Sequence, residues 1–324
     1  TLKNNIDGDD FRKTTVTDGN SLHTYLIYSR PIKWKGREHK PVDIAFYLNT
    51  HGEKEFIQSS KNKLFVLFPT TCETFVGFLM NGPFRTPAHR ETVSKDDDFN
   101  QFLILQIGEL LRQSMFDLKG KGSISVSFLN VLPIRTEDFP KDSMFYPIYV
   151  AVRDALINED LLPADDGTFV SARNAKLARG AELRSLLNQD QLSSLFLSTV
   201  SLLALIDAIK WLPGEITEGR SPDLRLYLLE HLKIDEVRPE KFVELLTDDF
   251  LENQSDQWII DFYSFVKDRT EFWEKPDAAL KKRKILRLED NSHVIPFKSD
   301  GTPNAYLPSS SATTNIFPTI KEKC

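Results

Sequence analysis

A chain of 324 residues, 40% apolar and 27% charged, can bury the core of two ordinary domains, and its formal net charge of -6 lacks the basic excess of a general nucleic-acid binder. Its two cysteines, Cys72 and Cys324, are too few and too far apart for a disulfide framework or a thiolate metal site, so the reducing cytoplasm is the expected compartment. No run reaches the roughly 20 apolar residues of a membrane helix, the longest candidate, 192–212, being broken by Ser, Thr, Asp and Lys, and no signal peptide is visible.

In chain order, LHTYLIYSRPI (22–32) alternates as a strand and 42–48 as a second, giving a hairpin. The connection over 33–40, with Lys33, Lys35, Arg37, His39 and Lys40 beside Trp34, reads as a solvated loop. Strands are expected over 64–68 and 74–80, with Pro69-Thr70-Thr71 as the turn between them. The apolar run Phe75, Val76, Phe78, Leu79 and Met80 must stop at Asn81-Gly82-Pro83, where glycine permits positive φ and proline removes a backbone donor. Asp96, Asp97 and Asp98 precede Phe99, Phe102, Leu103, Ile107, Leu110, Leu111 and Met115, which predicts a helix over 97–117 with acids at its positive end.

SISVSFLNVLP (123–133) fits either a short strand or a helix. Phe145, Ile148, Tyr149, Val152, Leu156 and Ile157 predict a helix over 144–158, and Asp165-Asp166-Gly167 a tight hairpin in which the acids are turn formers. Helices follow over 182–187, 190–196 and 198–211, from Ser221 to 232, from Pro239, and after Asp256, where Trp258, Ile259, Phe262, Phe265, Val266 and Trp273 form a core stripe. ILRLEDNSHVIP (285–296) reads as a second hairpin, and its His293 has no companion Cys or His for a metal. Lys281, Lys282, Arg283 and Lys284 make a solvated basic edge. The expected fold is α+β: a mixed or antiparallel sheet with covering helices over 1–141, a mainly helical domain with short β-hairpins over 142–308, and a polar tail over 309–324.

The candidate site is the loop after the fourth expected strand, which carries Arg85, His89 and Arg90 on a segment stiffened by two prolines. Guanidinium grips phosphate oxygens through two parallel charge-assisted hydrogen bonds, so such a loop suits an anion; equally, Arg85 or Arg90 can pair with Glu91 or the nearby aspartates.

The block FVLFPTTCETFVGFLMNGPFRTPAHRETVSKDDDFN, together with LLPADDGTFVSARNAKLARGAEL, ILRLEDNSHVIPF and GTPNAYLP, resembles the segment that follows the nucleotide-binding domain in large bacterial sacsin-like proteins, with sacsin and the plant NO VEIN protein as more distant relatives. Those proteins carry a chaperone-type (GHKL) ATPase domain. The resemblance implies a transducer-like first domain whose basic residue reaches the γ-phosphate of ATP held by its neighbour. The heat-shock chaperone of that superfamily uses an Asn-Ile-Ser-Arg-Glu motif there; PAHRE is similar to it, with Arg90 as counterpart. Pro-Ala-His in place of Asn-Ile-Ser leaves Arg85 as the alternative, and Thr86, His89 and Glu91 would hold or orient the loop.

The chain opens at Thr1 in a polar stretch that reads as a continuation, so a fragment is expected. It holds no Asp-x-Gly-x-Gly lid, no Glu-x-x-x-Asn helix and no Walker loop, so ATP and magnesium are expected in a missing upstream domain, no cofactor in this chain alone, and no ATP hydrolysis by it in isolation. The expected partners are that N-terminal ATPase domain and client or partner proteins, with neither nucleic acid nor membrane. The alternative is an interaction scaffold whose loop arginines only pair with acids; a nucleic-acid module using 33–40 and 281–284 ranks third.

Overall fold

Val42, Ile44, Phe46 and Leu48 are buried while Asp43, Ala45 and Tyr47 alternate with them, and that period of two makes Arg37–Leu48 a long strand with one face in the core. The computed structural model describes residues 2–6, 11–18, 21–49, 55–58, 62–88, 91–197, 208–274, 278–307 and 319–321. They form an α+β protein in two units, Thr1–Ala175 with Leu212–Ile234 and Lys176–Trp211 with Asp235–Cys324.

The first unit is built on a mixed sheet of β1 (Leu2–Ile6), β2 (Phe11–Asp18), β3 (Ser21–Trp34), β4 (Arg37–Leu48), β5 (Lys63–Val66), β6 (Phe68–Glu73) and β7 (Leu79–Asn81). Its order is β1-β2-β3-β4-β7-β5-β6, antiparallel throughout except for the parallel pair β5 and β7.

Three expectations are corrected here. The segment over 33–40 is not a loop: β3 runs to Trp34 and β4 begins at Arg37, joined by Lys35 and Gly36, both at positive φ (47° and 79°), the two-residue turn whose twist suits a hairpin. Trp34 and His39 pack their rings on Phe99, while Lys33, Lys35, Arg37 and Lys40 stay exposed. Pro69-Thr70-Thr71 lies inside edge strand β6, and the chain turns instead at Leu67, at φ 67°. Of the strand expected over 74–80, only Leu79 and Met80 are in a ladder. Phe75 takes φ 56°, the Asn62 amide donates to Val76 O and Phe78 O, and Gly77 N–H donates to Val131 O at 2.9 Å. Val76 and Phe78 are still buried, so the apolar run marks the core without marking a strand.

One face of the sheet is covered by α1 (Asp98–Gly120), whose buried stripe includes Leu103, Ile107, Leu110, Leu111 and Met115, each contributing about 1.5–3 kcal/mol. Tyr28 OH donates to Asp117 at 2.6 Å and Arg30 Nε to Gln106 at 3.0 Å, fixing the helix along β3. Phe46 meets Phe56, Phe78 and Phe128 at centroid distances of 5.7, 5.2 and 5.4 Å. Phe128 lies in α2 (Val126–Leu129), which Ser125 caps, so the ambiguous 123–133 segment is partly helical.

Next, α3 (Tyr146–Asn158) packs on α1 where Gly108 has no side chain: a Cβ there would lie 3.4 Å from that of Ala151. The expected boundary at 141 therefore falls inside the first unit. The hairpin β8 (Leu162–Pro163) and β9 (Phe169–Val170) forms at Asp166-Gly167 as expected, Asp166 accepting from Thr168 N–H and hydroxyl.

In the second unit, β10 (Ala175–Ala178), α4 (Ala181–Leu186), α5 (Gln189–Leu197) and β11 (Lys210–Trp211) come first. The helix expected over 198–211 lies outside the described residues over 198–207 and is a strand at 210–211. The chain returns to the first unit for α6 (Pro222–Glu230), then gives the second β12 (Asp235–Val237), α7 (Pro239–Leu245), α8 (Asp248–Glu252), α9 (Asp256–Val266) and the hairpin β13 (Leu286–Arg287) and β14 (His293–Val294).

The sheet β11-β10-β12 and the helices enclose a core with Phe242, Trp258, Ile259, Phe262 and Phe265. Trp211 and Trp258 donate their indole N–H groups to Leu187 O and Leu186 O at 2.9 and 2.7 Å, satisfying carbonyls at the end of α4. Trp273 lies beyond α9, half exposed. Among the described residues no helix is long and apolar enough to cross a membrane.

A Cβ added at Gly77 would stand 2.6 Å from Val131 Cα, a backbone atom that cannot swing aside. Gly77→Ala is expected to cost about 1–3 kcal/mol in urea unfolding; an unchanged midpoint would mean the 131 segment is not packed here.

Candidate functional site

At Gly82 and Pro83 the chain leaves the sheet as expected, and from there its peptide groups need new partners. Gly82 N–H still reaches Phe65 O at 3.1 Å and Phe84 is buried. The next partners come from the first turn of α1. Asn100, 0% exposed, accepts Arg85 N–H at 2.7 Å through Oδ1 and donates through Nδ2 to Arg85 O and Ser94 O, both at 3.0 Å. Gln101 donates to Lys95 O at 2.9 Å. On the sheet side, Thr71 of β6 donates its N–H and its hydroxyl to Glu91 O at 2.8 and 2.7 Å. The loop is thus tied to the helix and to the sheet edge.

Asp97 caps α1: its Oδ1 accepts from Phe99 and Asn100 N–H at 2.9 and 3.0 Å, and its Oδ2 takes Arg85 Nη1 at 3.3 Å. Partial burial works to raise this carboxyl, but the Asn100, Arg85 and Phe99 donors outweigh it and hold the carboxyl below the usual range. The Arg85 guanidinium lies 5.0 Å from the centre of the Phe99 ring, and its side chain is 59% exposed. So exposed an ion pair is worth only about 0.2–1 kcal/mol, enough to orient the side chain and little more.

Of the residues singled out in the sequence, Arg85 and Asp97 are brought together, Thr86 follows half-buried, and Glu91 acts through its carbonyl while its side chain is exposed. His89 and Arg90 lie outside the described residues. Asn100 escaped notice, although an asparagine three residues after a capping aspartate, where a helix gains nothing from it, is a readable signal for a side chain that bonds backward.

A second polar cluster, in the other unit, was also missed. Arg287, in β13, is buried, yet every nitrogen has a partner: Nε donates to His293 Nε2 at 2.8 Å, Nη1 to Asp256 at 2.8 Å, and Nη2 to Leu251 O and Gln254 O at 3.3 and 2.6 Å. Lys321 holds the other Asp256 oxygen at 2.6 Å. Because arginine only donates, His293 Nε2 must be unprotonated, which places the ring proton on Nδ1, facing Lys284 O at 3.1 Å. Burial pushes this imidazole down; the Lys284 carbonyl opposes that, and the Arg287 charge reinforces it. The cluster ties the ends of α8 and α9 to the hairpin. Among the described residues no three His, Cys, Asp or Glu side chains are arranged to hold a metal ion.

In comparison with known proteins, the chain matches no family model, no curated protein and no solved structure.

Asp97→Ala removes the cap and should destabilise by about 1 kcal/mol, whereas Asp97→Asn, which still caps, should cost less than half as much; equal losses in a urea titration would assign the effect to the Arg85 pair instead. For His293 the folded chain takes up a proton later than the unfolded one, so stability should fall as pH drops through about 6.5 and level off once the folded imidazole is charged. His293→Gln keeps an acceptor for Arg287 and should flatten that fall in unfolding free energy measured between about pH 8 and pH 5. The lowered carboxyls of Asp97, Asp256 and Asp290 act below that window, where protonation removes their stabilising effect.

Proposed function

We propose that the chain couples nucleotide turnover in an adjoining chaperone-type ATPase domain to movement of the segments that follow it, in the cytoplasm, and that the loop over 82–97 is the part that meets the nucleotide. The observation that supports this most is the Arg85 guanidinium, oriented by Asp97 and the Phe99 ring at the start of α1, with Nε and Nη2 unpartnered among the described residues. A phosphate presented to that loop would find a fork already aimed, on a backbone fixed by Asn100. Exchanging the Asp97 carboxylate for a more highly charged phosphate is cheap because the pair is a single contact made by a largely exposed guanidinium. Arg90, the counterpart by resemblance, follows Arg85 by five residues in the sequence.

ATP and magnesium would be held by the adjoining domain. This chain would supply a cation at the oxygens where charge develops as the terminal phosphoryl group leaves, so that hydrolysis and loop position become linked. The pairing of Arg85 with Asp97 favours a second reading, in which the loop is structural and the chain is an interaction scaffold.

The two readings separate in a polypeptide that includes the ATPase domain. If the loop senses phosphate, Arg85→Ala or Arg90→Ala should lower ATP turnover by on the order of a hundredfold with nucleotide affinity little changed, while Asp97→Asn stays within a few-fold of wild type. Turnover unaffected by both arginine variants would leave the scaffold reading. The 324-residue chain alone is expected to hydrolyse no ATP.

A further inference from the structure

Beyond α9 the second unit leaves a groove of about 450 Å³ whose floor is Val266, Leu280 and Ile285 and whose walls include Trp273 and Phe297. The two aromatics are 40% and 44% exposed, a large apolar area to leave facing water. Both are nevertheless held in place. The Trp273 indole donates to Val266 O at 3.1 Å, which fixes the ring edge and leaves a face uncovered. Phe297 stands at the base of a tight turn closed by Lys298 N–H to Thr302 O and Asn304 N–H to Pro296 O, both 2.9 Å, with Asp300 accepting from the Thr302 hydroxyl at 2.6 Å. Ordering exposed aromatics in advance lowers the entropic cost of covering them.

The rim is basic. Lys267 and Lys281 border the groove; among the described residues neither has a carboxylate within 4.0 Å, and Lys281 Nζ rests on the Glu274 main-chain oxygen at 3.1 Å. Glu274 is the one acid in the lining. The floor offers apolar side chains and no converging polar groups of the kind that orient a metabolite. The apolar surface is recessed rather than protruding, which suits an inserted side chain better than a lipid surface.

We propose that this groove docks an acidic peptide segment through one or two bulky apolar side chains, with flanking Asp or Glu residues meeting Lys267 and Lys281. The site is independent of the loop over 82–97 and holds whether or not that loop senses phosphate.

The probe is a fluorescein-labelled peptide of about twelve residues with a central Leu-Phe pair flanked by Glu and Asp, followed by anisotropy against the full chain. Controls replace the Leu-Phe pair by two serines, or the acids by lysines. Binding on the order of tens of micromolar is expected, at least about tenfold weaker for either control and for Phe297→Ala, and weakening with added salt. Phe297 is exposed, so its removal should leave the thermal melt unchanged; Lys267→Glu with Lys281→Glu gives a second variant that acts through the rim alone. The proposal is overturned if the acidic peptide binds no better than its serine control, or if both variants bind it like wild type. It also fails if the groove instead carries anionic phosphatidylserine vesicles or a self-association seen by light scattering that Phe297→Ala abolishes.

Discussion

A peptide group that leaves a helix or a sheet and stays buried must find a partner, because leaving it unpaired costs about 1–3 kcal/mol. Three side chains meet that demand where the fold is irregular. Asn62 takes Val76 and Phe78 after the sheet has been interrupted, Asn100 takes Arg85 and Ser94 after β7, and Arg287 takes Leu251 and Gln254 between α8 and α9. Each is buried and each bonds more than one carbonyl or amide, so the segment it serves is held at several points at once. At these three places irregular chain is therefore not loose chain. Its path is set by side chains that propensity rules count as poor choices for a core.

The first turn of α1 shows how tightly these demands are combined. Phe99 is buried beneath Trp34 and His39 and also carries the Arg85 guanidinium on its ring; Asn100 holds the loop; Asp97, two residues before Phe99, caps the helix and pairs with Arg85. The helix then runs along β3 and β4, with Tyr28 locked to Asp117 toward its far end. Packing, capping and loop placement thus fall on three residues within a span of four, Asp97, Phe99 and Asn100, all of which touch Arg85.

Periodicity in the sequence was a good guide wherever one face of an element is buried. The 3.6 spacing of Leu103, Ile107, Leu110 and Leu111 located α1, that of Trp258, Phe262 and Phe265 located α9, and Asp166-Gly167 located a hairpin. It misled over 74–80, where Val76 and Phe78 are as buried as strand residues but their carbonyls bond to an asparagine amide, a difference that hydrophobicity does not encode. The turn at Leu67 gave no warning either, since a leucine at φ 67° has no compositional signature, and Pro69-Thr70-Thr71 drew attention two residues too late. In the candidate site the cations and the capping acid were legible as residue types. The clamp was legible only in part: Asn100 at its place in the first turn hints at a side chain that bonds backward, but its partners at 85 and 94 are known only once the fold brings them to it.

Arginine appears in this protein in two physically different states, and the contrast bears on which of them suits a changing ligand. Arg287 has lost its water and replaced it with an imidazole, a carboxylate and two carbonyls, so moving any partner strands a buried charge. Buried and with a partner on every nitrogen, it is not presented to a ligand. Arg85 keeps much of its water, has one carboxylate at 3.3 Å and leans on an aromatic face, while its own backbone is clamped by a buried amide. Its position is fixed at the main chain and its charge is exchangeable at the tip. A residue that must respond to a group that comes and goes needs both properties, and among these two arginines only the exposed one combines them.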